Sequence, residues 1–326
     1  MPRGARSCRC DFKLRGETGR ESKKKYPPFF SFFLQFNYGL HHHEKFADYW
    51  RAGTHEVASV WDRDDVLPSV TLCGGMGGVK KGSICKRDGK YIICALTVES
   101  VETVCQTHRL NNPSTPVLCL NIRDHSECLR AVARYLPRKH WPRTWFHCSN
   151  SCKKATTANM GGRDIAAALQ DTLKFVALLE RFNGAIWTLE NVAELHQFFK
   201  GKYPTAYVFD MKKHCKLAQD RRRMILSNRL MFLPKETEDL TVRDVLGARK
   251  GWDPKTKYWM RNAWGYVRSV DSPRGSYSIT SGYLQAGATS VGKFGPEHVL
   301  DSADRALLQG FDQPPLWPAS VGALSS

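Results

Sequence analysis

The sequence predicts an α/β protein, a mostly parallel β-sheet with helices on both faces, followed by a small basic region of different character. Three observations carry this. From Ser69 to Ser227 apolar runs alternate with amphipathic segments, which is the pattern of strand–helix units rather than of hairpins. A glycine run, Gly74-Gly-Met-Gly-Gly78, follows the first apolar run and marks a tight turn that a ligand can approach closely. From about residue 233 the alternation stops.

Taken in order, Val70-Thr-Leu-Cys73 reads as a buried strand and Tyr91 to Val98 as a second. Val101 to Leu110 reads as a helix, Val117 to Ile122 as a third strand, and Ser126 to Tyr135 as another helix. Thr144 to Cys148 is a strand running into the loop that holds Cys152. Arg163 to Phe182 is a long helix, with Ile165, Leu169, Leu173, Val176, Ala177 and Leu179 at helical spacing. Ala185 to Leu189 is a strand that delivers Glu190 at its C-terminal end, and Met224 to Ser227 closes the series. Ligands in such sheets sit at the C-terminal strand ends. Gly74 to Gly78, Glu99, Asn121, Cys152 and Glu190 all fall there.

The chain has 326 residues, 42% of them hydrophobic, enough for a packed core. No apolar stretch approaches the roughly 20 residues that span a bilayer, so no membrane association is expected. The apolar window Pro27 to Phe36 follows a basic segment but lacks a small-residue cleavage pattern, which argues against secretion. The net charge of +18 favours a polyanionic partner. Residues 1–25 hold nine Lys/Arg against three Asp/Glu. That arm either binds nucleic acid without sequence preference or is a dispensable extension.

Eleven scattered cysteines, several in apolar runs, suit reduced thiols in an intracellular protein, cytoplasmic or nuclear. None of them has zinc-site spacing, and His41 to His43 read as a polar surface tract, so no metal is predicted. Residues 244–277 carry seven Lys/Arg and six aromatics, Trp252, Tyr258, Trp259, Trp264, Tyr266 and Tyr277. Such interleaving suits phosphate contact and base stacking, although aromatics of a small subdomain also form its core.

Three segments then bear on chemistry: Cys152 within Phe146-His-Cys-Ser-Asn-Ser-Cys152, Leu189-Glu190-Asn191-Val192, and Gln219-Asp-Arg221-Arg-Arg223. Their order and flanking sequence resemble the C5-cytosine methyltransferases. Leu72 to Gly82 looks like that family's S-adenosylmethionine loop, with Gly75, Met76, Gly77 and Gly78 at its centre. Glu99, followed by Asn111-Asn-Pro113, resembles the ribose-binding acid, and Asn121-Ile122 stands where an Asp-Ile contacts adenine. Ser272 to Thr280 and Arg305 to Phe311 resemble later segments, so the likeness covers roughly residues 69–312.

The resemblance implies a Rossmann-like S-adenosylmethionine-dependent methyltransferase fold with a small target-recognition region. It implies an extension over 1–66, a catalytic domain over 67–232, target recognition over 233–290, and a return to the catalytic domain with a tail over 291–326. The implied activity is methylation of cytosine C5 in double-stranded DNA by a monomer. Cys152 is the nucleophile at C6, with Cys148 its nearest competitor. Glu190 acts at N3, Arg223 at O2 and Arg221 near phosphate or the cysteine loop. Asn191 braces that loop, Gln219 positions the arginines, and Lys153 and Lys154 help make the neighbourhood positive.

Three departures stand against this. Asn150-Ser151 and Lys153 replace the two prolines and the glutamine that flank the family's nucleophile, which is expected to free the loop. Thr71 and Cys73 replace an Asp and a Phe. The Gly-Asn-x-Val segment that completes the family's cofactor pocket is not found. The first alternative is therefore a catalytically impaired homologue that binds nucleic acid or regulates a partner. The second is the same chemistry on RNA, although the Cys-Phe-Thr segment of the RNA-specific relatives is not found.

Overall fold

The computed structural model describes residues 60–75, 86–87, 90–113, 115–152, 154–155, 162–215, 217–231, 233, 236, 240–253, 255, 257–259, 267–269, 271–272, 276–277, 300 and 302–308. These fall into two compact units, one within 60–209 and 223–234, the other within 210–222 and 235–308.

The first unit begins with β1 (Val66–Leu72), every residue of which is buried, as expected of a central parallel strand covered on both faces. There follow β2 (Lys86–Arg87), β3 (Lys90–Glu99), α1 (Glu102–Asn111), β4 (Val117–Cys119), α2 (His125–Tyr135), a 3₁₀ turn over Arg138–Arg143 and β5 (Trp145–Cys148). Then come α3 (Ile165–Glu180), β6 (Ile186–Val192), the one-turn α4 (His196–Phe199) and β7 (Thr205–Asp210). After α5 (Met211–Cys215) and β8 (Gln219–Asp220), which belong to the second unit, β9 (Arg222–Ser227) completes the sheet. Asp124 and Asp164 cap α2 and α3, each accepting from the amide three residues on.

The sheet runs β2-β3-β1-β5-β6-β9-β7, with β4 on β3. β1 is parallel to β3 and β5, β3 to β4, and β5 to β6, whereas β9 is antiparallel to β6. With β2 left aside, the order is that of doubly wound nucleotide-binding sheets with one antiparallel strand slipped in before the edge. This is the Rossmann-like S-adenosylmethionine-dependent methyltransferase fold that the resemblance implies. The core packs Trp141, Phe146, Phe182 and Trp187 between sheet and helices, with Phe146 stacked on Phe182 at 4.0 Å. Trp61, in the segment assigned to the extension, lies fully buried in that core. The predicted strand Val117–Ile122 stops at Cys119: Asn121 turns the chain, its side-chain oxygen accepting from Arg123 N at 3.1 Å.

In the second unit, α6 (Val242–Lys250) starts at a capping box between Thr241 and Asp244 and ends at Gly251, φ 66°. β10 (Lys257–Trp259) pairs antiparallel with β11 (Val267–Ser269), and β12 (Ser276–Tyr277) pairs parallel with β8. α7 (Ser302–Leu308) carries Asp304, wholly buried, to Arg249 Nε at 3.1 Å and Lys250 Nζ at 2.7 Å. Among the described residues no helix is long and apolar enough to cross a membrane.

Candidate active site

β1 has β3 on one side and β5 on the other, so the crevice of this sheet opens beyond their C-terminal ends. Strand register decides what lines it. Leu72 pairs with Val98 and Cys148, and Cys148 pairs with Leu189. One residue further on, Glu99, Cys73, Ser149 and Glu190 therefore form a row across four adjacent strands, at or just past the ends of β3, β1 and β5 and two residues before β6 ends at Val192. Ser149 N still donates to Leu72 O at 3.3 Å.

Glu190 is held at both oxygens. Arg223 Nε donates to Oε1 at 2.8 Å, and the Ser149 hydroxyl donates to Oε2. The Glu190 and Arg223 side chains are 16% and 13% exposed, so the pair is mostly shielded from water. The register explains the pairing: Glu190 faces Ile225 and Val192 faces Arg223, which makes Arg223 the diagonal neighbour of Glu190 on one face. Ser149 was not among the predicted site residues. Its sequence signals are its place directly after a buried strand and its position inside the Phe146–Cys152 segment.

Asn191, next along β6, points to the other face by strand alternation. Its Nδ2 donates to Asn150 Oδ1 at 3.0 Å and to Thr172 Oγ1 of α3 at 3.3 Å. Asn150 Nδ2 donates to the same hydroxyl at 3.4 Å, and Thr172 donates onward to Ala168 O at 2.9 Å. The donor and both lone pairs of that hydroxyl are thus used. Asn150 is 4% exposed. The expected freeing of the cysteine loop does not occur at this position, because side-chain hydrogen bonds do what a proline ring does by covalent restraint.

Cys152 is half-buried against the core, and its carbonyl accepts from Ala155 N at 3.0 Å. Cys148 is fully buried, and burial together with the Cys73 thiol keeps it protonated far above the ordinary thiol range. Only the thiolate is nucleophilic, so Cys148 is a poor competitor. Lys154, expected to lend positive charge, is paired with Asp171 of α3 at 3.2 Å, and Asp171 also takes Arg123 at 3.3 Å. Lys153 lies outside the described residues. Fully buried His147 hydrogen-bonds Thr188 Oγ1 at 2.9 Å, and burial pushes it down to about 4.

At the cofactor end, Gly75 has φ 53° and Cys73 φ 54°. Gly74 has no room for a side chain, since a Cβ would stand 2.3 Å from Thr97 Cγ2. Glu99 Oε2 accepts from Gly75 N at 3.1 Å. Its Oε1 accepts from Ser100 N at 2.7 Å, Val101 N at 3.2 Å and Ser100 Oγ at 3.3 Å. A carboxylate offers about four lone-pair positions, so Oε1 is saturated while Oε2 keeps room for one hydroxyl. That arrangement fits a ribose held through a single hydrogen bond. His108, absent from the sequence-based set and fully buried, lies with Nδ1 3.1 Å from Gly75 O. Asn121 is exposed, and Ile122 is packed in the core behind it. Met76, Gly77 and Gly78 lie outside the described residues.

Gln219 and Arg221 belong to the second unit. Gln219 is buried in β8, and its side-chain nitrogen makes no hydrogen bond among the described residues. Arg221 O accepts from Met211 N at 3.0 Å.

No family model matches this chain, and no curated protein sequence does. Among solved structures it is similar to one described as a DNA modification methyltransferase encoded within a prophage of E. coli. Identity is 17%, over 55% of this chain and 54% of that one, with a TM-score of 0.39. A Spodoptera frugiperda DNMT2 variant gives 14% identity over 55% and 59% of the two chains, TM-score 0.38. Dnmt2 of S. pombe gives 14% over the same shares, TM-score 0.36. The chain thus spans little more than half the length of these structures. With TM-scores below 0.5 the likeness says nothing of activity, and the fold stands on the sheet order alone.

Proposed function

We propose that the chain is a methyltransferase acting on C5 of cytosine in DNA, with S-adenosylmethionine as donor. One observation supports this above the rest. The loop that carries Cys152 is tied through Ser149 to the Glu190–Arg223 pair and through Asn150 to Asn191. A thiol, a carboxylate and a guanidinium thereby share one end of the sheet.

Neutral cytosine is a poor electrophile at C6. In this reading the Cys152 thiolate bonds to C6 while Glu190 supplies a proton or a strong hydrogen bond at N3. To reach N3, Glu190 exchanges the Ser149 hydroxyl for the ring nitrogen and keeps Arg223 on its other oxygen. A guanidinium N–H of Arg223 would turn to the base O2. C5 is thereby made nucleophilic, and the bound cofactor supplies an electrophilic methyl group. Loss of the C5 proton to a base with cleavage of the S–C6 bond releases the Cys152 thiolate, N3 returns its proton to Glu190, and 5-methylcytosine is left. C5 and C6 are shielded in a stacked duplex, so the base must be flipped out.

Glu99 Oε2 would take a ribose hydroxyl, the Gly75–Gly78 loop the methionine portion, and Asn121 the adenine, with Ile122 shaping the wall behind it. The proposal retains residues 67–232 as catalytic, 233–290 as target recognition, and Arg221 as a phosphate contact steadied by Gln219.

A second reading, an impaired homologue that binds nucleic acid, is favoured by the pairing of Lys154 with Asp171, which removes positive charge that would support a thiolate. Incubation with tritiated cofactor and a 5-fluorocytosine duplex separates the two, because fluorine at C5 cannot leave as a proton and traps the adduct. A tritiated adduct lost in Cys152→Ser supports the enzyme. Duplex binding without adduct removes it in favour of the binding protein, and an adduct on fluorinated RNA alone shifts the substrate.

A further inference from the structure

Apart from the groups used in the proposed reaction, Glu102, Cys105 and Cys119 bring metal-ligating atoms together. Glu102 opens α1, Cys105 lies three residues further along that helix, and Cys119 ends β4. One ligand atom from each, a carboxylate oxygen and two sulfurs, lies within 4.8 Å of the others. Around a tetrahedral zinc with bonds of about 2.0 to 2.3 Å, ligand atoms stand roughly 3.5 to 3.8 Å apart. The cluster closes on an ion by small rotations of two exposed side chains, Glu102 and Cys119, against the buried Cys105.

We propose that Cys105, Cys119 and Glu102 bind one thiophilic divalent cation of the zinc and cadmium class, with water in the fourth position. Two sulfurs select against magnesium and calcium, which prefer all-oxygen sites. A single buried ligand with two exposed ones leaves one side open to solvent, which suits a three-residue set completed by water.

Both thiols now point at carbonyl oxygens, Cys105 Sγ at Glu99 O (3.5 Å) and Cys119 Sγ at Ser100 O (3.7 Å). Binding releases these thiol protons, about two per ion, with no change of oxidation state. Affinity therefore rises with pH. Arg109 Nη1 holds Glu102 Oε1 at 3.1 Å, which orients the carboxylate as outer-shell partners of metal ligands do. A bound ion would tie the first turn of α1 to the end of β4, on either side of the Ser100–Val101 amides that hold Glu99.

The full chain, reduced and handled without air, is titrated with Cd²⁺ while thiolate-to-cadmium charge-transfer absorption and proton release are followed. Because the chain holds eleven cysteines, the readout is the difference between parent and variant. Cys119→Ser, at an exposed position, is expected to bind one equivalent less than the parent, with about two fewer protons released. Glu102→Gln is expected to weaken that equivalent by roughly tenfold or more, and Zn²⁺ to displace it. Equal stoichiometry in parent and Cys119→Ser overturns the proposal. So does a reduced parent lacking the extra equivalent while air oxidation consumes two thiols in the parent and none in Cys119→Ser, since the pair is then a disulfide. No outcome depends on methyl transfer.

Discussion

At the scale of single residues, Asn150 and Glu190 show how side chains at this sheet edge depend on one another. Asn150→Ala leaves the buried Asn191 amide and Thr172 hydroxyl short of a partner each, which costs roughly 1–3 kcal/mol. Urea unfolding with an unchanged slope measures it, and a loss under about 0.5 kcal/mol, the size of an ordinary surface change, would mean that the network does not hold the loop. Glu190→Gln keeps a group that can accept from Ser149 but removes the charge facing Arg223. Adduct formation with the fluorinated duplex is expected to fall by about 10²-fold or more, the usual size of a lost general acid. An adduct rate within a few-fold of the parent would refute the role at N3. Cys152, Glu190 and Arg223 enter the proposal because their order along the chain resembles a known pattern. Ser149, Thr172 and His108 do not enter by that route, because each acts through a partner 19 or more residues away in sequence, which local spacing does not encode.

At the scale of elements, the turn after β1 separates two costs of adding a methyl group to glycine. Gly74→Ala drives a Cβ into Thr97 Cγ2, a β-branched and fully buried neighbour, and overpacking of this kind costs about 1–3 kcal/mol. Gly75→Ala meets nothing within 4 Å among the described residues and bears the strain of φ 53°, about 1–2 kcal/mol. Thermal unfolding of the two variants checks both figures, and relaxation of Thr97 by Thr97→Ser should rescue Gly74→Ala but not Gly75→Ala. In the second unit, Asp304→Ala leaves Arg249 and Lys250 without their buried carboxylate. A loss of about 1–3 kcal/mol is expected, since Arg249 and Lys250 stay within reach of water, read as earlier proteolysis within residues 235–308. The strands β1, β3, β5, β6 and β9 were legible as apolar runs. β7 was not: Thr205-Ala-Tyr-Val-Phe-Asp210 is short, and half-buried at most of its positions. Its place beside β9 comes from pairing that no local pattern encodes.

For the molecule as a whole, acid is the informative stress. His147 ionises at about 4 in the fold against 6.5 for the free side chain. Between those values the unfolded chain binds more protons, so stability rises with pH across the window. The contribution is fully present above 6.5 and lost as pH falls to about 4, up to about 3 kcal/mol in all. His125 and His140 are shifted the same way by burial. Unfolding free energies of the parent and His147→Gln, measured from pH 7 to 4, should converge as pH falls, and parallel curves would remove His147 as the cause. The sequence by itself determined the α/β class and the residues that gather at the strand ends, because apolar periodicity and the β–α alternation fix which ends meet. Tertiary structure alone decided that Asn150 is pinned where prolines are missing, that Cys148 is sealed and Cys152 is not, and that Cys105 and Cys119 meet. Those outcomes depend on register and burial across separate strands and helices, where spacing along the chain carries no signal.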